Sequence, residues 1–444
     1  IIGKSTGSGA AMYGLYVDAW AGKYDVYNNT IARIAPTATS SWVGALDVYG
    51  NSQPVNVNNN IIYNESAGGR AVSVSDNSGL GTIVKLDYNN IYSTSSTLFY
   101  DNWFGSSYSD LTAWRAASNM DKNSISYDPG FTNVASDDFT PDPTNQNSWS
   151  VNGRGIHITG NNIDKDGNPR VTTTGTGVPD LGAYEFVPDP SNVPPLCTVV
   201  PATPTAGGTQ IYTLGRDTVA TITWDAAATV PATAPDVRQY TGTVPPGLSA
   251  LNPTNMYFYT DISSSTSADF ETNIYYKEPW MGTISSEAAL HLAQQEGVNP
   301  WVGYPITISG SNTLRNYIYS PATPKLNTYG KFTGIDVANN AGTAEVVTPT
   351  GLFCAGTYPV TVRIKNTGNN VLNSVKVYWE INGTPGTGSP ITYTTPIPVN
   401  NGVLNFNTAV INLGNVTFGA TANNFKIWTS EPNGVADIVT ADDT

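Results

Sequence analysis

YDVYNNTI (Tyr24–Ile31), VNVNNNII (Val55–Ile62) and KLDYNNIY (Lys85–Tyr92) are three variants of one phrase, and their reading decides the fold. The last Asn of each falls at Asn29, Asn60 and Asn90, spacings of 31 and 30 residues. A repeat of that length is an architectural period, one supersecondary unit per repeat, and not the spacing of a catalytic set. Between the Asn segments run GLYVDAW (Gly14–Trp20), GALDVYG (Gly44–Gly50) and RAVSVSD (Arg70–Asp76), whose apolar residues alternate with period two. Alternation of that kind marks half-buried strands. Short strands with polar corners at this period fit a right-handed parallel β-helix, each coil burying its inward side chains against the next. Asn tolerates the left-handed backbone conformation and can bond its equivalents in adjacent coils, so the corner Asn residues read as a structural ladder. A sugar-binding Asn row is the second reading.

Composition agrees with an all-β, extracellular class. The chain has 444 residues, of which 12% are charged, with 42 Gly, 30 Pro, 25 Tyr and 10 Trp. Such a length suggests two to four domains, and turn residues with many aromatics suit broad strand surfaces. A net charge of −14 and no cluster among the 20 Lys and Arg exclude a nucleic-acid or anionic-membrane partner, since binding phosphates needs clustered cations. No apolar run reaches the length of a membrane span, and no signal peptide is visible. The opening IIGKSTGSGA supplies no cap for a first coil. The expectation is therefore a processed or excised part of a longer protein, continued by more chain or by self-association.

The chain reads as three modules. The solenoid and its closing segment occupy 1–187, a stiff Pro-rich linker 188–195, a β-sandwich 196–344 and an immunoglobulin-like sandwich 345–444. Two helices are expected, Ser109–Ser124 capped by Ser109 with Leu111, Trp114 and Ala117 on one face, and Ser285–Gly297 stopped by its Gly. The order of the Trp-containing helix, SISYDPGF, DDFTPDPTN, a DxDGxxR element at Asp164–Arg170 and DLGAYEF (Asp180–Phe186) resembles the C-terminal end of β-helix domains in secreted surface proteins of Bacteroidota, a branch of the pectate-lyase-like superfamily. From GLFCAGTYPVTVRIKNTG to WTSEPNGVADIVTADDT the last module is similar to immunoglobulin-like repeats of large flavobacterial adhesion and gliding proteins. The resemblance implies a cell-surface, adhesive or structural role.

Enzyme chemistry finds little support. Polygalacturonase-like sites combine paired Asp residues with a Gly-His-Gly and an Arg-Ile-Lys, whereas the one RIK here is Arg363–Lys365 and the two histidines, His157 and His291, lie in other settings. A lyase-like site needs carboxylates holding calcium beside a base, and the repeats offer Asp18, Asp25, Asp47, Asp76 and Asp87 with Lys23, Lys85 and Arg70. One Asp per coil is ordinary decoration, so a polysaccharide lyase or hydrolase ranks third. Carbohydrate binding ranks second, through Trp20, Trp42, Trp103, Trp280, Trp301 and Tyr304, whose rings can stack on surface glycans. Oxygen ligands at Asp164, Asp166 and Asn168 mimic a calcium loop without its closing Glu, and a β-turn tied to Arg170 by a salt bridge explains the same letters. Asp137, Asp138 and Asp142 read as solvated loop charge. Cys197 and Cys354 read as two buried thiols, with a disulfide between them as the alternative. Adhesion or spacing without catalysis is the leading functional expectation, with no required cofactor.

Overall fold

Successive strands at the start of the chain visit three sheets in turn. The computed structural model describes residues 2–4, 13–40, 44–173, 175–194, 196–198, 203–248, 255–284, 286–287, 290–299, 301–304, 309–336, 339–351, 353–368, 370–399, 407–420 and 422–435. Strand dominates, at 43% against 6% helix, as the sequence predicts for an all-β chain. The chain forms two compact units, Ile1–Val244 with Tyr257–Gly282 and Asn327–Lys331, and Pro245–Met256 with Thr283–Leu326 and Phe332–Thr444.

The first unit opens with β1 (Ile2–Lys4), β2 (Leu15–Asp18), β3 (Tyr24–Tyr27), β4 (Thr30–Ala35), β5 (Gly44–Gly50) and β6 (Val55–Asn58). It continues with β7 (Ile61–Ser66), β8 (Arg70–Asp76), β9 (Val84–Asp87), β10 (Asn90–Ser93), β11 (Phe99–Asp101) and β12 (Ser106–Tyr108). Each of β1 to β8 pairs in parallel with the strand three places on, giving sheets β1-β4-β7-β10, β2-β5-β8-β11 and β3-β6-β9, with β12 added antiparallel to the second. Register places like over like. Ile31, Ile62 and Ile91 align in the first sheet, Val17, Val48 and Val74 in the second, and Val26, Val57 and Leu86 in the third. All belong to one buried core, where equal volumes at each level keep the interior close-packed.

The corners explain the Asn phrase. Asn28, Asn59 and Tyr88 take the left-handed conformation, at φ 52°, 59° and 54°. The residue after each builds the ladder. Asn60 Oδ1 accepts the Asn29 backbone N–H at 2.9 Å and the Asn29 amide at 3.2 Å, and Asn89 Oδ1 accepts the same pair from Asn60 at 3.0 and 3.1 Å. The expected third member, Asn90, is thus corrected to Asn89, and the spacings are 31 and 29 residues. Asn90 instead opens β10 opposite Ile61, because Ile91 must point inward over Ile62 and a slip of one residue would turn it out. Beyond Asn89 the ladder runs to the Ser124 hydroxyl and on to the Asp121 carboxylate.

A single α-helix among the described residues, α1 (Leu111–Ser118), packs on this core. Its Trp114 lies flat on Phe99, ring centroids 4.6 Å apart. Asp110, not Ser109, is the N-cap, accepting the Ala113 N–H at 3.0 Å, and Ser118 rather than Ala117 completes the buried face. Residues 126–187 then pack along the first sheet, where Phe131 and Phe139 meet Tyr63 edge-on. The left-handed Asn residues grip this segment: the Asn28 amide donates to Asp180 O, and Asn59 exchanges two hydrogen bonds with the Ile156 backbone. Gly182 sits so close to Ile61 that a Cβ would lie 2.5 Å from its Cδ1, which accounts for the Gly in DLGAYEF. The Pro-rich stretch is held against the same unit through Arg238 to Val193 O and Leu196 N–H to Val237 O. An antiparallel sheet of Cys197–Thr198, Thr209–Leu214, Asp217–Trp224 and Phe270–Tyr275 follows, with a hairpin of Asp236–Thr241 and Phe258–Ser263.

In the second unit, Ala341–Thr348, Gly356–Asn366 and Thr408–Phe418 form one sheet, and Val375–Ile381 pairs with Thr384–Pro385, Ile391–Tyr393 and Phe425–Ser430 in another. Val360, Val362 and Ile364 from the first share a core with Val375, Val377 and Trp379 from the second. The helix expected over Ser285–Gly297 is overturned: His291–Gln295 is a strand antiparallel to Val302–Gly303. The Leu292 N–H donates to Ser309 Oγ and its carbonyl accepts from Tyr304, so tertiary pairing outweighs the local helical preference of Leu, Ala and Gln. No helix among the described residues is long and apolar enough to cross a membrane.

Asn60 is fully buried, and its removal leaves the Asn29 N–H without its acceptor. Asn60→Ala is expected to destabilise the first unit by about 2 kcal/mol or more in urea unfolding, while Asn56→Ala, whose amide bonds Asp25 at the surface, costs well under about 1 kcal/mol. Equal effects would remove the ladder from its structural role.

Candidate functional site

Which repeat side chains remain for chemistry follows from what each already bonds. The Asp76 carboxylate accepts N–H groups from Ser78, Thr82, Ile83 and Val84 at 2.8–3.1 Å, fixing the turn after β8. Asp87 is taken by Tyr88 and Asn123. Asp25, on the third sheet, accepts from Asn56, which holds its carboxyl below the usual range, and pairs with Lys23 at 3.1 Å. The Lys85 ammonium is bound to the Gly81 carbonyl. These four settle into structural positions.

Asp47 and Arg70 are different. They lie on neighbouring strands of the second sheet, on its outer face, although 23 residues separate β5 from β8 at Asp47 and Arg70. The Ala71 and Val72 N–H groups both donate to the Leu98 carbonyl at 3.1 Å, a two-against-one pairing that re-aims the strand so that Arg70 turns outward while both alanine and valine stay in the core. The Arg70 guanidinium lies 4.0 Å from the centre of the Tyr100 ring, and its Nε donates to Ser73 Oγ at 2.5 Å. Asp47 Oδ1 accepts from Asn102 at 3.2 Å, whereas Oδ2 is buried with no hydrogen-bond partner. Burial pushes the Asp47 carboxyl up to about 6 against the opposing pull of Arg70. Beside Arg70 and Tyr100 opens a cavity of about 220 Å³, walled by Gly68, Gly69, Ser95–Thr97 and Ser107.

An aromatic rim lies along the same sheet. Trp20 is 70% exposed, anchored by its indole N–H to Asp18 at 3.0 Å. Tyr16 is half exposed and contacts Tyr13 and Tyr49 at ring distances of 5.8 and 5.4 Å. At the far edge Trp103 and Phe104 project from the turn after β11, 57% and 67% exposed, their N–H groups fixed by Asp101 Oδ1. Trp20 and Trp103 are therefore both exposed, in turns that follow strands toward opposite edges of this sheet. Trp280 and Trp301 do not: Trp280 is 1% exposed and donates to Gly153 O at 2.7 Å, and Trp301 is buried, donating to Pro246 O at 2.8 Å. Both are packing residues, a correction to their reading as glycan platforms. The Tyr304 hydroxyl is bonded to Gln294 at 2.5 Å. Trp42 lies outside the described residues.

The calcium reading meets a saturated carboxylate. Asp164 Oδ1 accepts the Asp166 and Asn168 N–H groups, both at 2.8 Å, and Oδ2 accepts Glu185 N–H at 2.9 Å and the Asn168 amide at 3.0 Å. A carboxylate offers about four lone-pair sites, and on Asp164 all are filled by N–H, so Asp164 has none left for a cation. Burial pushes this carboxyl up, yet those hydrogen bonds outweigh it and hold it below the ordinary range. Arg170 bonds Glu185 rather than Asp164, correcting the expected salt bridge. Glu185 in turn accepts the Asp180 N–H at 3.1 Å, and Asp180 accepts Gly153 and Phe186 N–H groups. His157 contacts the Gly177 carbonyl at 2.9 Å. Cys354 is a free, exposed thiol, correcting the buried-thiol expectation, and the Cys197 side chain lies outside the described residues.

Sequence reading weighed Arg70 only as a lyase base and passed over Tyr100, Ser96, Thr97 and Ser107. Its one signal was the Gly68–Gly69 pair before Arg70. No family model matches the chain, and neither a curated protein nor a solved structure does.

Burial raises the Asp180 carboxyl above the usual range, with the Glu185 charge pushing the same way and Arg170 opposing; burial raises Glu185 to about 7 against the pull of Arg170, and Asp121 to about 6. A carboxyl whose folded value is raised stabilises the fold below its unfolded value near ~4, and that stability is lost as pH rises through the folded value. The melting temperature is therefore expected to be higher at about pH 5 than at pH 8, with Glu185→Gln shrinking the difference in calorimetry. A melting temperature that rises from pH 5 to 8 contradicts this. Native-state thiol titration is expected to label Cys354 without denaturant.

Proposed function

We propose that this chain is a non-enzymatic adhesive and spacer segment of a large secreted cell-surface protein, a right-handed parallel β-helix followed by two immunoglobulin-like sandwiches. Parallel pairing of each strand with the third one after it supports the β-helix, and two sheets over one core support the last sandwich. One observation carries the functional reading. The carboxylates Asp25, Asp76, Asp87 and Asp164 all accept hydrogen bonds from neighbouring rungs, turns or the closing segment. Groups held this way maintain the stack of coils and are poorly placed to move protons. The letters of DxDGxxR and DLGAYEF, on which the resemblance to Bacteroidota surface proteins rests, interlock through Asp164, Arg170, Asp180 and Glu185. Placement outside the cell follows from that resemblance.

A second reading, glycan binding on the outer face of the second sheet, is favoured by the exposed rings of Trp20, Tyr16 and Trp103 along that sheet and by a polar cavity lined by Arg70 and Tyr100. Aromatic faces fixed on a flat sheet suit the apolar faces of sugar rings. Rungs spaced at about 4.8 Å would present such groups at regular intervals along an extended polymer.

The purified chain is expected to bind glycan-coated beads and to leave a panel of acidic and neutral polysaccharides uncleaved, with or without calcium. Trp20→Ala combined with Trp103→Ala should reduce retention several-fold without changing the melting temperature. Robust cleavage that disappears in Asp47→Asn would overturn the non-enzymatic reading.

A further inference from the structure

We infer that the cavity beside Arg70 binds a single carboxylate-bearing sugar unit within an otherwise neutral glycan. The inference rests on the glycan-binding reading of this face and names the chemistry of its ligand.

Arg70 carries the argument. It is only 4% exposed, yet it forms a wall of the cavity. Its Nε is used by Ser73, while its two terminal nitrogens donate to no described residue. Those nitrogens form the edge of a planar fork that matches a carboxylate in two parallel hydrogen bonds. Tyr100 holds the fork flat from one side at 4.0 Å, so its orientation is set before any ligand arrives. Asp47 acts on the guanidinium through its charge but forms no ion pair with it among the described residues, which leaves the fork open.

The remaining walls specify a sugar rather than a bare anion. Ser96, Thr97 and Ser107 place hydroxyls at the cavity, and none of these makes a side-chain hydrogen bond to a described residue. Hydroxyls that both donate and accept match the ring hydroxyls of a pyranose. The volume of about 220 Å³ falls below the ~300–1,000 Å³ of drug-sized pockets, which suits one sugar unit.

Charge limits the ligand further. A net charge of −14 repels a polyanion at distances where salt screens only partly, whereas one carboxylate is captured by short-range contact with the fork. An isolated acidic unit is therefore favoured over a run of them.

Isothermal titration of the full chain tests this with four probes: a neutral oligosaccharide ending in one glucuronate, its glucose-ended twin, polygalacturonate and inorganic sulfate. The glucuronate-ended probe is expected to bind at least about tenfold tighter than its twin. Arg70→Gln should erase that difference, and Arg70→Lys should keep only part of it. Because Arg70 is buried, Ser107→Trp serves as the second variant: Ser107 is exposed, and a bulky ring there should block the cavity with the melting temperature unchanged. Equal affinity for the two oligosaccharides overturns the inference, as does undiminished binding in Ser107→Trp. Sulfate binding as tightly as the sugar acid would show an anion hole only, and tighter binding of polygalacturonate at low salt would overturn the single-unit claim. Retention on neutral glycans that survives Arg70→Gln but falls in Trp20→Ala would leave the glycan-binding face standing while this inference fails on the first comparison.

Discussion

A corner turn buries a backbone N–H, and something must accept it. In the repeats that acceptor is the side-chain amide of the next rung, and the rest of the first unit depends on the match. An orphaned N–H in the interior costs about 1–3 kcal/mol, a large share of a domain's net stability. Asn is suited to the position because its oxygen accepts from the preceding rung while its NH₂ donates onward and to nearby carbonyls, as Asn60 does to Val26 O and Asn58 O. The ladder fixes the rung spacing, and the spacing sets the aliphatic stacks in register.

Two adjacent Asn residues are needed for two separate reasons. The first turns the corner in the left-handed region and offers its side chain to the closing segment, and the second joins the ladder. The third rung separates the two tasks. There Tyr88 turns the corner, at a conformational cost of about 1–2 kcal/mol for a residue with a Cβ, and only the ladder Asn is kept. Asn28 and Asn59 bind the closing segment at Asp180 and Ile156, which in turn depends on the Arg170–Glu185–Asp180 cluster. Burying two carboxylates with one guanidinium is not a strong stabiliser, because desolvation offsets most of the Coulombic gain. Its geometric demand is what places Gly182 against Ile61.

The period, the alternating strands and the structural use of Asn were all legible, because each reflects a local rule about backbone conformation or side-chain direction. The third ladder position was misread by one residue, since register depends on Ile91 facing a partner in another rung, which a single phrase cannot show. The strand His291–Gln295 was misread as a helix for a related reason: its Ala, Leu and Gln favour helix, and the decisive pairing comes from residues that follow a turn. Exposure of individual tryptophans was beyond reach. Trp20 and Trp280 both sit near turn residues, and only tertiary packing distinguishes a ring anchored at the rim from one sealed over Gly153. The Arg70 cavity depends on an irregular pairing at Ala71 and Val72, and two successive apolar residues do not by themselves say which neighbour turns outward.

Taken from one end to the other, the ladder has a direction. The Asn29 amide donates to Asn60, the Asn60 amide to Asn89, the Asn89 backbone N–H to Ser124 and the Ser124 hydroxyl to Asp121, with every hydrogen pointing the same way. Aligned bonds of this kind polarise one another, so each is strengthened by its neighbours. The row behaves as a small electric dipole whose positive end meets a buried carboxylate. Flipping the Asn60 amide would set donor against donor at Asn29 and acceptor against acceptor at Asn89. Because Asn60 and Asn89 each accept a backbone N–H from the rung before, their amides have a single orientation, and the stack of nearly identical layers acquires a polarity that its repeating shape alone would not give it.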